Sequence, residues 1–365
     1  MVEKVKFGVV GVGVPRKDVG WIAQMHYFVP SIAWARYFPQ ISKNPNAELT
    51  AICDVVKERL EDVAKVYEVK ETFTDYKAML EKSDIDAVII TTPNKYHFPM
   101  ALDAIKAGKH LIVEKPLTTN AQEAKVLVEE AKKKKVKLFP MPYVFDNCFY
   151  KIREMIDKGF LGKICLLRGK VGHMGPGHGE WFYKSGFGAG AMFDLAVYPA
   201  TTFTALIGPA KRVIAVSGTA IEKRLVTEKE IDVEVEDNLI ISLDFGNGRF
   251  GDIVANYCTQ INYGPSLEVY GSRGAAFVEN GYLKFLTSSN DVRGLLTSQS
   301  PLAAPFPDEP IIERFIHYVQ RDIDISYLGE QQTHVIEILE KALESSNKTK
   351  ALEITTTFNP NKFVA

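Results

Sequence analysis

Residues 5–13 read Val5-Lys6-Phe7-Gly8-Val9-Val10-Gly11-Val12-Gly13, an apolar, β-branched run that ends in a G-x-G. A strand followed at once by such a turn lets a pyrophosphate approach backbone N–H groups at a helix N-terminus. The motif alone is weak and gains its weight from the strands and helices C-terminal to it. Glu48 to Asp54 is a second β-branched run, Asp86 to Thr91 a third, His110 to Val113 a fourth and Val136 to Phe139 a fifth. Helical patterns separate them. Lys57 to Tyr67 places Leu60, Val63, Ala64 and Tyr67 at i, i+3, i+4 and i+7, and Pro99 to Ala107 stops at Gly108. Asn120 with Glu123 forms a capping box for a helix to Lys134, whose terminal lysines suit the negative end of its dipole. Strand, helix, strand in this repeat predicts a doubly wound parallel sheet with right-handed crossovers, an α/β Rossmann domain over residues 1–145.

The second strand ends in Asp54. A carboxylate there can hold an adenosine ribose by two hydroxyls and would repel a 2′-phosphate, which favours NAD and leaves NADP possible. The alternative is a carboxylate that caps the helix from Val55 onward. Two features depart from the fingerprint. Arg16 stands where a third glycine is ordinary, and 41 residues separate Gly13 from Asp54 where about 20 are usual. The surplus, within about residues 14–40, carries Trp21, Phe28, Trp34, Tyr37 and Phe38, too aromatic for an idle surface loop. It reads as a flap over cofactor or substrate, as a subunit contact, or as plain packing.

Beyond a helix predicted over Asn147 to Lys158 the texture changes. Strands are expected at Ile164–Val171, Arg212–Ala220, Asn238–Phe245, Arg249–Gln260, Leu267–Tyr270 and Ala275–Glu279, with turns such as Gly246-Asn247-Gly248 between them. That pattern predicts an antiparallel meander. A helix near Trp181–Leu206 interrupts it, and an amphipathic helix at Gln331–Ser345 closes an α+β domain spanning residues 146–365.

Length agrees with two domains, since 365 residues is about 2.4 times the ~150 that serve as a prior for one. Forty-four Lys and Arg against 45 Asp and Glu give a net charge of −1, which removes the footprint of a general nucleic-acid or membrane-surface binder and points to a small-molecule partner. No apolar stretch reaches membrane-spanning length and the start lacks a signal peptide's pattern, so a cytoplasmic protein is expected. The four cysteines, Cys53, Cys148, Cys165 and Cys258, are scattered without metal or disulfide spacing.

Three further segments complete a recognisable set: Ile90-Thr91-Thr92-Pro93-Asn94 with His97, Glu114-Lys115-Pro116-Leu117, and Gly188-Ala189-Gly190-Ala191-Met192-Phe193-Asp194-Leu195-Ala196-Val197-Tyr198-Pro199. Together with the glycine turn they resemble the glucose-fructose oxidoreductase, inositol dehydrogenase and rhizopine-catabolism family (Gfo/Idh/MocA) over nearly the whole chain. The resemblance implies a Rossmann domain, a second domain with an open antiparallel sheet, nicotinamide between the two, and sugars, polyols or related cyclic alcohols as substrates. It places the resumption of the glycine pattern at Ile22-Ala23, with Ala23 as the close-packing third residue. Gly11, Gly13, Ile22, Ala23, Asp54, Thr91, Thr92, Pro93, Asn94, His97, Glu114 and Lys115 are then the expected cofactor contacts. His97 can alternatively meet substrate or cap the helix after Pro99. Paired sheets are frequent in the family, so a homodimer or homotetramer through the C-terminal sheet is expected.

Hydride transfer from a secondary alcohol needs a group to take the hydroxyl proton and a positive charge to steady the developing alkoxide. Lys115, at a strand end beside the domain crevice, suits the second task. In the family the last motif usually closes on histidine four residues after the aspartate; here Asp194 is followed by Tyr198, as in the branch containing glucose-fructose oxidoreductase. The expected division is Tyr198 exchanging the proton, Lys115 lowering its pKa and binding the reacting oxygen, and Asp194 orienting lysine or substrate. If Tyr198 is instead a core aromatic, Lys115 is the base. His173, His178 and Trp181 lie in a glycine-framed stretch expected to meet sugar hydroxyls and an apolar sugar face; no third ligand at metal-binding spacing accompanies the two histidines, so no metal is expected. Two other functions stay open: a hydrolase that oxidises a sugar transiently on bound NAD, which the same residues do not separate from a dehydrogenase, and a non-catalytic dinucleotide-binding regulator, which has no need of proton-handling groups.

Overall fold

In the computed structural model, which describes residues 4–14, 31–227, 229–259, 264–288, 295–298 and 310–363, β1 (Val5–Val10) lies at the centre of a six-stranded parallel sheet. Phe7 and Val9 enter one core cluster and Val10 the other, so β1 is buried on both faces, which is why its sequence is a continuous apolar run and not an alternating one. The remaining elements of this unit are α1 (Phe38–Lys43), β2 (Ala47–Cys53), α2 (Lys57–Tyr67), β3 (Glu71–Phe73), α3 (Tyr76–Lys82), β4 (Ala87–Ile90), α4 (His97–Lys106), β5 (His110–Val113), α5 (Ala121–Lys134), β6 (Leu138–Pro140) and α6 (Asn147–Asp157). A π-helical turn at Ala33–Tyr37 leads into α1. The strand order is β3-β2-β1-β4-β5-β6. Chain direction around the sheet therefore switches between β1 and β4, and the crevice at that switch point receives Gly11–Gly13. Ile22, Ala23, Trp21 and Phe28 lie outside the described residues.

The strand expected at Val136–Phe139 is displaced to β6, because the Val136 N–H is spent on the Ala131 carbonyl at the end of α5, leaving pairing to begin at Leu138. Two elements have no counterpart among the expected ones: β3, with three residues too short to show a period, and α3, N-capped by the Asp75 carboxylate, whose Tyr76, Met79 and Leu80 follow i, i+3 and i+4 over only seven residues.

The second sheet is built from β7 (Ile164–Gly172), β8 (Arg212–Gly218), β11 (Asn238–Gly246), β12 (Arg249–Asn256), β13 (Leu267–Gly271), β14 (Gly274–Glu279), β15 (Tyr282–Ser288), β16 (Leu295–Ser298) and β17 (Leu352–Glu353). A separate hairpin joins β9 (Lys223–Val226) to β10 (Lys229–Asp232). The sheet is mostly antiparallel but is not a simple meander: β7 sits between β13 and β12 and runs parallel to β12. A parallel pair needs a long crossover. The helix α7 (Val197–Ile207), entered through a second π-helical turn at Met192–Ala196, is part of it. The helix expected over Trp181–Leu206 is accordingly broken, with only a short 3-10 turn at Glu180–Tyr183 before the π turn.

Two C-terminal helices bind the halves together. On α8 (Ile311–Gln320), Phe315 packs 5.9 Å from Phe7 and 6.0 Å from Phe139, so the chain returns to the first sheet. The expected helix at Gln331–Ser345 is longer at both ends, α9 (Ser326–Lys348), and packs on α5, α7, β6 and β8. Among the described residues no helix is long and apolar enough to cross a membrane.

Candidate active site

The glycine turn is shaped by close contacts. Gly11 and Gly13 have φ of +84° and +62°, and a Cβ on Gly11 would lie 2.9 Å from the Thr92 backbone nitrogen. Only glycine fits there without displacing the β4 turn. The Gly11 N–H donates to the Cys53 carbonyl (2.8 Å), and the Thr91 hydroxyl donates to the Gly11 carbonyl (2.8 Å). Asp54 is buried at the end of β2, where its carboxylate accepts from the N–H of Gly13 (3.2 Å) and of Val56 (3.0 Å) and lies 3.5 Å from the Arg59 guanidinium. It thus touches both the dinucleotide turn and the start of α2. This narrow cradle, open at a switch point and flanked by a carboxylate, fits a dinucleotide whose ribose is unphosphorylated. Asp54→Ala is expected to weaken NAD about tenfold to a hundredfold and to narrow the preference over NADP, because Arg59 would then stand unopposed. Calorimetric titration with both cofactors checks this; an unchanged preference would remove Asp54 from cofactor choice.

The turn after β4 reaches the second unit. The Asn94 side-chain amide donates to the Gly188 carbonyl (2.6 Å), and the Lys95 ammonium stands 3.6 Å from the centroid of Phe187. The Thr92 hydroxyl is directed to the Met100 sulfur (3.7 Å). His97 is buried, its Nδ1 2.7 Å from the Pro116 carbonyl and its Nε2 2.8 Å from the Thr92 carbonyl. Both ring nitrogens face carbonyls inside the protein, to one of which a neutral ring donates, and His97 neither faces the cleft nor caps α4. It clamps the β4 turn to the Glu114-Lys115-Pro116 turn, and burial pushes its pKa down.

Four charged side chains converge where those turns meet α7. The Lys115 ammonium pairs with the Asp194 carboxylate, donates also to the Asp194 carbonyl (2.9 Å), and lies 5.3 Å from the Tyr198 ring centroid. The Tyr257 hydroxyl, buried at the end of β12, donates to the other Asp194 oxygen (2.6 Å). Glu114 accepts from the Tyr37 hydroxyl (2.8 Å), from Arg36 (3.3 Å) and from the Lys115 N–H (3.1 Å). Each half of the Glu114-Lys115 dipeptide is thus met by a π-helical turn, a local widening often found at functional sites.

Burial opposes the charged forms of Lys115 and Asp194, yet their mutual attraction outweighs it, holding the Lys115 pKa above and the Asp194 pKa below their ordinary values. Tyr198 behaves differently from expectation. Burial raises its pKa, and the lowering by Lys115 is outweighed with help from the Glu114 and Asp194 carboxylates, so the phenol is held above its ordinary value. Its hydroxyl makes no hydrogen bond to another described residue.

The stretch after β7 lies on the other side of Tyr257. His173 packs 5.3 Å from the Tyr257 ring and accepts from the Gly175 N–H (2.9 Å). His178 packs against Phe182, whose ring is stacked on Trp181 with centroids 3.7 Å apart. Burial lowers the pKa of both histidines. The loop is anchored by Arg224, which donates to the Met174 carbonyl (2.8 Å) and to the fully buried Asp237 (2.7 Å). Among the described residues no group of three His, Cys, Asp or Glu side chains could hold a metal ion. Arg36, Tyr37, Tyr257 and Arg224 carry no motif in sequence; the aromatic crowding near Tyr37 is the one signal.

Residues 5–141 match the NAD-binding Rossmann-fold model of the GFO_IDH_MocA oxidoreductases, and residues 149–277 match the GFO/IDH/MocA C-terminal domain. Myo-inositol 2-dehydrogenase of Thermotoga maritima is 28% identical over 236 residues, 64% of this chain and 69% of its own. Levoglucosan dehydrogenase of Pseudarthrobacter phenanthrenivorans is 26% identical over 333 residues, 83% of this chain and 82% of its own. The solved complex of levoglucosan dehydrogenase with NADH superposes with a TM-score of 0.77 at 22% identity, covering 97% of this chain and 100% of the other. A dinucleotide turn at the switch point, the Glu114-Lys115 turn facing Asp194 and Tyr198, and a family match over both halves lead to one conclusion: this chain belongs to the Gfo/Idh/MocA family of NAD-binding oxidoreductases.

Proposed function

We propose that the protein is an NAD-dependent dehydrogenase that interconverts a secondary hydroxyl and a carbonyl on a sugar, polyol or related cyclic alcohol. The observation that carries this reading is a charged lysine, Lys115, pinned by Asp194 beside the Tyr198 ring at the crevice between the two units. The nicotinamide, when bound, supplies the acceptor for the hydride. Lys115 holds the reacting oxygen and stabilises alkoxide charge; Asp194, itself fixed by Tyr257, keeps the ammonium charged and aimed. Tyr198 takes the hydroxyl proton during oxidation and returns it during reduction. Gly11, Gly13, Asp54, Thr91, Thr92, Pro93, Asn94 and Glu114 form the cofactor wall, and His173, His178 and Trp181 offer neutral rings to sugar hydroxyls and to an apolar sugar face.

A raised phenol pKa carries a directional consequence. At neutral pH Tyr198 is protonated, the form needed to donate during carbonyl reduction. Alcohol oxidation needs the phenolate, whose fraction grows about tenfold per pH unit below the pKa. Turnover for oxidation should therefore climb toward alkaline pH, while turnover for reduction stays level and falls only once pH passes the raised phenol pKa. Steady-state rates in both directions across that range test the reading; two parallel profiles would contradict it.

The remaining features support a coarser placement in the cell and the assembly. No disulfide joins any of the four cysteines, in keeping with the cytoplasm. The outer face of the second sheet exposes Ile214, Val216, Ile240 and Phe250, a fitting surface for a second copy, as a homodimer or as half of a homotetramer. We take the division near residue 145 as functional, with the cofactor unit before it and the substrate and assembly unit after it, α8 returning to brace the first.

A further inference from the structure

Glu114 and Lys115 are sequence neighbours, yet their charges are answered from opposite directions. Lys115 is answered by Asp194 from the π turn before α7. Glu114 is answered by Arg36 from the π turn before α1, within the surplus stretch that separates Gly13 from Asp54. The same turn sends the Tyr37 hydroxyl to the same Glu114 oxygen at 2.8 Å, so two donors from adjacent residues are delivered to one carboxylate atom. Arg36 is only one-third exposed, 33%, while Glu114 is 8% exposed at its side chain. A guanidinium in that position has been partly taken out of water, and it is held charged because Glu114 and neighbouring groups outweigh the burial.

The charges that act on the Tyr198 hydroxyl come from Lys115, Glu114, Asp194 and Arg36. Lys115 and Asp194 form one closely matched pair. Without Arg36 the other pair would be a lone carboxylate, bonded only to a neutral phenol and a backbone N–H, beside a tyrosine that has to become negative during oxidation. We propose that Arg36 is a positioning residue for proton transfer: it offsets the Glu114 carboxylate and supplies a second positive charge that eases formation of the Tyr198 phenolate. The proposal rests on the reading that Tyr198 relays the substrate proton. In that step the hydroxyl proton passes to the phenolate oxygen and the hydride to the nicotinamide, leaving a carbonyl and a phenol, so no further reactant enters. Arg36 acts through the field it sets and need not touch substrate.

The test is the pH dependence of kcat for alcohol oxidation in the wild type, Arg36→Met, Arg36→Gln, Arg36→Lys and Tyr198→Phe, with NAD binding and thermal melting as checks that each variant is folded. Arg36→Met is expected to displace the rising limb by about one pH unit to the alkaline side, a loss of about tenfold at neutral pH that shrinks as pH rises. Arg36→Lys should restore most of the limb because it keeps the charge. If Arg36→Met does not fold, Arg36→Gln, which keeps a donor for Glu114 without the charge, carries the same expectation. A uniform loss of kcat at every pH, a rise in KM with the limb in place, or no change would overturn the proposal, since a merely structural arginine behaves in those ways. The two layers separate cleanly. If Tyr198→Phe keeps both turnover and limb, the tyrosine relay itself fails; if Tyr198→Phe abolishes the limb while Arg36→Met leaves it in place, only the role of Arg36 fails.

Discussion

Replacing Lys115 by methionine is expected to lower turnover by about a thousandfold or more while NAD still binds. Loss of a single preorganised charge donor at a developing oxyanion costs on the order of 100- to 1000-fold, and the same ammonium also favours the Tyr198 phenolate, so both effects fall together. A second consequence concerns stability. Asp194 would remain buried with Tyr257 as its one side-chain donor among the described residues, and stranding one member of a buried pair costs roughly 3–5 kcal/mol. The pH dependence of that loss has a definite sign. In the wild type the Asp194 pKa is depressed, so its contribution is full above the unfolded value of about 4 and fades as pH falls through the folded one. The Lys115 pKa is raised, so its contribution is full below the unfolded value of about 10.4 and is lost only as pH rises through the folded one. In the variant the unpaired carboxylate is disfavoured by burial and its pKa rises, so lowering the pH should narrow the stability gap to the wild type. Denaturant melts at neutral and mildly acidic pH check this. A gap that stays constant would mean that the pair does not carry charge in the fold.

Tyr198→Phe is expected to cut turnover by a factor on the order of 100 or more with cofactor binding and melting temperature little changed. The substitution removes one hydroxyl that makes no hydrogen bond to another described residue, and it keeps the ring that lies 5.3 Å from the Lys115 ammonium. Packing is therefore conserved and the chemistry alone is altered. Near-normal turnover in this variant would remove Tyr198 from the mechanism and leave Lys115 as the base, a role that its raised pKa makes difficult at neutral pH.

How far the molecule is legible from its residues depends on whether the information is local. The strand at Val5–Val10, the helix at Lys57–Tyr67 and the Asn120 cap each rest on a period or a spacing within a few residues, and each lies where the pattern places it. Glu114-Lys115 and the Asp194–Tyr198 spacing are equally visible, because a short motif carries its chemistry with it. Tyr257 meets Asp194 across 63 residues and Tyr37 meets Glu114 across 77, with no pattern linking either pair. His97 departs from expectation for the same reason: its nearness to the β4 turn is readable, but the Pro116 carbonyl that takes up its Nδ1 is not. The Tyr198 pKa moves opposite to expectation because burial, its largest cause, is not visible in sequence, and the Glu114 and Asp194 carboxylates of the same motifs add to it against Lys115. Likewise, nothing in the run from Ile164 to Gly172 distinguishes a strand at the end of a meander from one inserted parallel to β12.

The central claim, that the Lys115, Asp194 and Tyr198 site oxidises a free secondary alcohol with net transfer of a hydride to NAD, is tested most directly by incubating the purified protein with NAD and a panel of inositols, anhydrosugars and free hexoses. The near-ultraviolet absorbance of NADH is followed alongside nitrophenyl-glycoside cleavage. Stoichiometric NADH formation is expected with at least one member of the panel, abolished in Lys115→Met, together with no glycoside cleavage. Cleavage of a nitrophenyl glycoside without net NADH, or NAD binding with neither activity across the panel, would contradict the claim.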